Sequence, residues 1–286
     1  SRHDPAKVHL SVYRYRRNDF QPYIFVTRDY GESWNLLTDG ENGIPEDHFV
    51  RVTREDPERE GLLFAGTEFG IYVSYDEGGS WKSLQLNLPR TPITDLVIHQ
   101  NDLVVATQGR SFWILDELPL LRKLDSVERP PGSSRLFRPE RAYRTQLQGF
   151  GSVSVPEDPF PGVEFHYYLA ESSEELSLEI LDPSGALVDS FQLPDNDEGS
   201  REEETEDLPT LSGEPGLHRF GWNLRYPEPD VIPGSIFSLS RTRGPEAPPG
   251  SYEVRLQVGE THFSESFEIA TDPRWETTAA DLQAQW

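Results

Sequence analysis

The 286 residues contain no cysteine and no methionine. Without cysteine there are no disulfides, so cysteine usage says nothing about redox compartment. Without methionine, residue 1 is not a translation start. The chain is expected to begin after processing, or within a longer polypeptide. Lysine is nearly absent as well. Lys7, Lys82 and Lys123 are three of the 26 basic residues, which leaves 23 arginines. No apolar run approaches the ~20 residues of a membrane-spanning helix, no secretory signal stands in this numbering, and there is no Asn-x-Ser/Thr acceptor. The seven histidines are scattered. They form no His-x-His or His-Glu-x-x-His pattern, and no Gly-rich phosphate loop or serine nucleophile elbow is present. Neither a metal nor a cofactor is expected.

What is abundant is acid. The net charge is −24, which argues against nucleic acid and against anionic membrane surfaces, because nothing neutralises phosphates. Many carboxylates with almost no lysine fit a protein adapted to high salt, where screening removes the self-repulsion. Aromatic residues at 11% argue for packed cores. Proline and glycine, spread along the chain, suit many short strands joined by turns.

Two stretches repeat each other. Tyr23 to Trp34 and Gly70 to Trp81 are each an alternating apolar strand that runs into Ser/Thr-x-Asp-x-Gly-x-Ser-Trp, with Asp29 and Asp76 47 positions apart. A period of this size marks a repeat architecture. Around these turns the strands group into units. The first holds Val8–Tyr13, Tyr23–Thr27 and Asn35–Leu37. The second holds Phe49–Thr53, Leu62–Thr67, Gly70–Ser74 and Lys82–Leu84. The third holds Ile93–His99, Leu103–Arg110 and Ser111–Asp116, and its Asp turn is lost. Residues 125–148 read as a Pro- and Arg-rich connector. From 149 to 271, alternating strands with no helical pattern between them read as a β-sandwich. Residues 272–286 carry the start of a helix, with Thr277 or Thr278 as its cap. The acidic run 195–207 reads as a solvated loop, since its spacing does not fit a calcium loop.

The two turns resemble Asp-boxes (BNR-type repeats), the turn motifs of β-propellers in sialidases, xyloglucan-degrading glycosidases and sortilin-type receptors. Val104 to Leu118 resembles the closing blade of large bacterial sortilin-like propeller proteins, with Gln108 in a place often held by histidine. Pro249-Gly250-x-Tyr252-x-Val254-x-Leu256 resembles the immunoglobulin-like domain that trails them. The resemblance implies an all-β chain with about three blades of an incomplete Asp-box propeller over 1–124, followed by an immunoglobulin-like sandwich. Three blades cannot close a propeller, which typically has about 4–8. The expected partners are therefore the missing blades, from the same polypeptide or a partner chain. The family also implies a secreted, periplasmic or cell-surface place in a bacterium.

The motif's chemistry favours structure over catalysis. Asp29 and Asp76 can accept backbone N–H bonds and close a turn. Gly31 and Gly78 permit positive φ, and Trp34 and Trp81 are expected to bury large apolar area between sheets. The expected function is non-catalytic recognition of a peptide, glycan or protein. The candidate residues are Glu68, Gln108 and Arg110 in inner-strand loops, with Tyr15 and Arg16 at the first hairpin tip. Arginine suits an acidic or carbohydrate ligand. The alternative is a fragment of a glycoside hydrolase, sialidase- or xyloglucanase-like. Glu68 and Asp116 are its available carboxylates, and such chemistry needs two of them ~5–10 Å apart.

Overall fold

Alternating apolar residues build three antiparallel meanders in the first part of the chain. In the computed structural model, which describes residues 1–116, 118–124, 133–145, 160–194, 210–229 and 243–284, the first sheet is β1 (Val8–Arg14), β2 (Asp19–Thr27) and β3 (Asn35–Leu36). The second is β4 (Val50–Glu55), β5 (Leu63–Thr67), β6 (Ile71–Ser74) and β7 (Lys82–Ser83). The third is β8 (Ile93–His99), β9 (Asp102–Thr107) and β10 (Phe112–Leu115). Within each sheet every strand pairs with its neighbour in sequence. The Asp turns follow β2 and β6, so β1 is equivalent to β5 and the first sheet has no counterpart of β4. The third sheet has no counterpart of β7.

These sheets and the short helix α1 (Leu118–Leu124) lie in one compact unit, Ser1–Ser126. The middle sheet is covered on both faces, and every residue of β5 and β6 is buried. That is why Leu62 to Ala65 reads as a continuous apolar run rather than an alternation. Toward the first sheet, Val50, Leu63, Ala65, Tyr72 and Trp81 pack with Ile24. Toward the third, Val52, Leu62, Phe64, Ile71 and Val73 pack with Ile93, Leu96, Leu103 and Val105. Each fully buried aliphatic side chain contributes about 1.5–3 kcal/mol. Gly66 lies at the closest approach: a Cβ there would stand 2.6 Å from Ile93 Cγ2 and 2.7 Å from Val52 Cγ1.

The outer faces differ. Val8, Leu10 and Leu36 on the first sheet are 45–48% exposed, and Val97, Ile114 and Phe112 on the third are 50–75% exposed. The strand register puts Leu10, Phe25 and Leu36 on one face of the first sheet. It puts Val97, Val104 and Ile114 on one face of the third. Both end sheets therefore present apolar faces that no described residue covers.

Lys7 ties the start of the chain to the second sheet. It is 2% exposed, and its Nζ lies 2.9, 2.9 and 2.8 Å from Glu55, Glu60 and Glu77. Burial disfavours the ammonium, but three carboxylates outweigh it and hold the lysine pKa above its usual value.

Two features of this unit correct the sequence reading. Residues 118–124, placed within the all-β blades, are helical. Pro119 sits at the helix start, where its missing N–H costs nothing, and Leu118 and Leu120 are buried. Trp34, expected to be buried, is 41% exposed, whereas Trp81 is 4% exposed. The connection from the first sheet causes the difference. It lays the fully buried Ile44 over Trp81, and the Asn42 carbonyl accepts the Trp81 backbone N–H at 2.8 Å. No described segment does this for Trp34.

The second unit is Val127–Trp286. One sheet orders β11 (Arg135–Leu136), β13 (Val163–Leu169) and β16 (Gly216–Trp222). The other orders β12 (Ala142–Arg144), β18 (Thr261–Thr271), β17 (Gly250–Val258), β14 (Leu176–Leu181) and β15 (Leu187–Gln192). Inward residues of both sheets share one core, including Phe165, Tyr167, Trp222, Leu178, Val254 and Phe267. β11 and β12 fall inside the stretch read as a connector. They pair with β13 and, in parallel, with β18. At the C-terminal end, α2 (Ala279–Ala284) starts with a reciprocal cap. The Asp281 N–H donates to Thr278 Oγ1 at 3.2 Å, and the Thr278 N–H donates to Asp281 Oδ2 at 2.9 Å. The acidic run 195–207 lies outside the described residues. Among those described, no helix is long and apolar enough to cross a membrane.

Candidate functional site

The unit of three sheets has two chemically different ends. One carries the Asp turns. Asp29 accepts bonds from the Ser33 N–H at 2.9 Å, the Ser33 hydroxyl at 2.5 Å and the Thr27 hydroxyl at 2.7 Å. Asp76 accepts the same set from Ser80 and Ser74 at 2.8, 2.7 and 2.8 Å. Thr27 and Ser74 in turn accept the N–H of Gly31 and Gly78, at 2.9 and 2.8 Å. The backbone is left-handed at Tyr30 and Gly31, with φ of 60° and 94°, and at Glu77 and Gly78, with 58° and 89°. Each carboxylate is spent on closing its own turn. The Ser33 hydroxyl and amide, with the Thr27 hydroxyl, pull the Asp29 pKa down to about 2. At Asp76 partial burial pushes upward, and the Ser80 and Ser74 bonds outweigh it.

The opposite end carries the β1–β2, β5–β6 and β9–β10 connections, and here side chains from all three sheets touch in a row. Arg16 lies over the Tyr15 ring at 5.9 Å. Tyr15 stacks on Phe49 at 5.1 Å, and Tyr13 and Phe20 lie 6.4 and 6.3 Å from the same ring. Arg51 covers Phe49 at 5.2 Å and holds Glu68, with Nη2 donating to Oε2 at 2.6 Å. His48, next to Phe49, packs on Phe69 at 4.7 Å and shares a 2.8 Å hydrogen bond between Nδ1 and the Tyr72 hydroxyl. Arg90 lies over Phe69 at 4.5 Å, a cation–π distance worth ~0.5–1 kcal/mol when exposed. Beside it, the Thr91 hydroxyl donates to the Gln108 carbonyl at 3.2 Å. Arg110 follows in a turn where Gly109 and Ser111 have φ of 80° and 65°.

All five residues singled out from the sequence therefore sit at this end: Tyr15, Arg16, Glu68, Gln108 and Arg110. Their roles differ. Glu68 is engaged by Arg51, whereas Arg16, Gln108 and Arg110 are exposed. Phe49, His48, Arg51 and Arg90 were not anticipated. The signal available for Arg90 and for His48-Phe49 was position, because His48-Phe49 stands directly before β4 and Arg90 three residues before β8, the equivalent strand of the next repeat. Glu68 and Asp116 do not form a carboxylate pair. Asp116 follows the far end of β10, and the four residues of that strand span about 13 Å at ~3.3 Å each. Among the described residues, no group of three His, Asp or Glu side chains is placed to hold a metal ion.

The titrating groups give a pH prediction. Burial pushes His9 and His48 below 6.5, and for His48 Arg90 adds to this while Asp47 opposes it. Burial in the folded unit disfavours the imidazolium of both, so below about pH 6.5 the unfolded chain binds more protons and stability falls with pH. Asp29, Asp76 and Glu77 have depressed values. Their contribution is present above about pH 4.5 and is lost as pH falls toward their folded values. Lys7 acts in the other direction, since its contribution is lost only as pH rises through its elevated value. Calorimetry should show a nearly constant melting temperature between about pH 7 and 9, a decline below about 6.5 and a steep fall below about 4. An unchanged melting temperature from pH 7 down to about 5 contradicts this reading of the two histidines.

No family model matches the chain, and no curated protein matches it. Among solved structures, one described as the extracellular domain of a hybrid two component system from B. thetaiotaomicron aligns at 9% identity and a TM-score of 0.27. The alignment covers 89% of this chain and 29% of that one. A likeness at that level carries no assignment of fold or activity.

Proposed function

We propose that the first unit is part of an Asp-box β-propeller, that the second is an immunoglobulin-like sandwich, and that the chain is a non-catalytic recognition module. One observation carries this reading. Three successive meanders stack through two cores, two of them share one turn geometry, and both end sheets present uncovered apolar faces. Further sheets of the same kind, from the same polypeptide or a partner chain, are the fitting occupants of those faces. In such an arrangement the Asp turns stand on an outer rim, and recognition falls to the opposite end, around Tyr13, Tyr15 and Phe20. The expected setting is secreted, periplasmic or cell-surface, and the acid excess with little lysine supports a high-salt one.

The glycoside hydrolase alternative has little support, because Glu68 is held by Arg51 and Asp116 stands at the other end of its sheet. The test is an array of glycans and peptides, with Tyr13→Ala and Phe20→Ala as probes. These rings are 52% and 44% exposed, so their loss leaves the cores intact. The expected result is binding without turnover, weakened about tenfold or more by either change, or ~1.4 kcal/mol. Hydrolysis that disappears in Glu68→Gln overturns the non-catalytic reading.

A further inference from the structure

The arginines of this protein divide by what they face. Arg28, Arg54, Arg122, Arg144 and Arg225 are tied to carboxylates at 2.5–3.1 Å. Arg14 and Arg51, near the recognition end, are tied likewise at 3.2 and 2.6 Å. Five arginines are exposed with no carboxylate partner among the described residues, namely Arg2 beside the chain start and Arg16, Arg17, Arg90 and Arg110. The last four belong to the same end of the three sheets. Arg16 and Arg17 lie in the β1–β2 connection, Arg90 stands before β8, and Arg110 lies in the β9–β10 turn. In a chain of net charge −24, intramolecular partners are plentiful, so four unpaired guanidinium groups on one rim are not a by-product of composition. The carboxylates close to that rim do not cancel them. Glu68 is held by Arg51 and Asp19 by Arg14, which leaves Glu46 and Asp47 exposed on the loop before β4.

The rim is also aromatic. Tyr13 and Phe20 are exposed, Tyr15 and Phe69 are half-buried, and the row from Arg16 through Tyr15, Phe49, His48 and Phe69 to Arg90 is continuous. Flat rings take the C–H faces of sugars, and guanidinium groups spaced along them take carboxylate or sulfate oxygens in paired hydrogen bonds. We infer that this rim binds a polyanionic glycan, a chain whose sugars carry carboxylate or sulfate groups. The inference rests on the reading of this end as a recognition surface, and it names the ligand class for that surface. The local positive field, set against a strongly negative remainder, also orients such a chain along the rim and away from the Asp-turn end.

The experiment is calorimetric titration of the full chain with polygalacturonate and chondroitin sulfate. Xyloglucan and mannan serve as neutral glycans, and polyglutamate as an acidic peptide. Both anionic glycans are expected to bind and the neutral ones not, with affinity falling about tenfold between roughly 0.1 and 0.5 M salt as screening grows. Changing Arg16, Arg17, Arg90 and Arg110 together to glutamine is expected to weaken binding at least about 30-fold with an unchanged melting temperature. The pair Arg16→Gln and Arg110→Gln, about threefold or more, gives the same readout if the fourfold variant melts early. Equal binding of neutral glycans, or indifference to the glutamines, overturns the inference and leaves the recognition reading standing. Tighter binding of polyglutamate overturns it in favour of an acidic peptide. Binding of none of these ligands overturns the inference, while the glycan and peptide array tests the recognition reading separately.

Discussion

Arg122→Ala is expected to lower the melting temperature of the three-sheet unit by about 10 °C or more, through a loss of about 3–5 kcal/mol. Asp56 is fully buried and Arg122 is 9% exposed. The guanidinium Nε lies 3.1 Å from both Asp56 oxygens, and Nη2 lies 3.0 Å from Oδ2. Arg122 also donates to Glu58 at 2.8 Å and to the Gln100 carbonyl and Asn101 Oδ1 at 3.2 Å each. Asp56 meanwhile accepts the N–H groups of Glu58 and Arg59 at 2.9 and 2.7 Å. One side chain of α1 therefore fastens the 56–59 turn of the second sheet to the 100–101 turn of the third. Removing the arginine leaves a buried carboxylate with two backbone donors and no cation, which is the expensive way to break such a pair. The double change Asp56→Leu with Arg122→Met removes both charges and should cost less than Arg122→Ala alone. Calorimetry of the full chain checks both, because only the transition of the first unit should move. A shift under about 2 °C for Arg122→Ala would show the pair to be dispensable.

The same pair shows where the sequence was readable and where it was not. The Asp turns were legible because everything that forms them lies within eight consecutive residues: the Thr or Ser, the Asp two positions on, the Gly and the Ser. Strand alternation was legible for the same reason. Arg122 and Asp56 are 66 positions apart, and nothing local marks either as the other's partner. The row at the recognition end is split in the same way. Tyr15, Arg16, Glu68, Gln108 and Arg110 were found from their loops, each judged within its own repeat. Phe49 and Arg90 hold those loops together only once the sheets stack, so stacking had to be known first. The helix at 118–124 was missed for a different reason. At Asp116-Glu117-Leu118-Pro119 the sequence shows only that the Asp turn is lost, and seven residues are too few for a helical period to stand out. β11 and β12, at two and three residues, are too short to show any period. Their conformation is imposed by β13 and β18.

The two tryptophans of the repeat should separate sharply on mutation. Trp81→Ala is expected to cost about 3–5 kcal/mol, the range for a large buried aromatic, and Trp34→Ala about 1 kcal/mol or less. The sequence context is nearly identical, so the difference comes from what lies on top. Trp81 packs with Ile24, Ile44, Val50, Leu63 and Tyr72, while the Trp34 indole N–H donates to the Gly31 carbonyl at 3.2 Å and its ring stays half in water. Equal costs for the two changes, measured by calorimetry on the full chain, would mean that the connection over Trp81 contributes nothing. The comparison also probes the apolar face of the first sheet. If sheets of the same kind stack on Val8, Leu10 and Leu36, their connecting segment should cover Trp34 as residues 38–49 cover Trp81. In a polypeptide carrying such sheets, the cost of Trp34→Ala should rise toward that of Trp81→Ala. A cost that stays near 1 kcal/mol there would count against a repeating array and for a first sheet that ends in solvent.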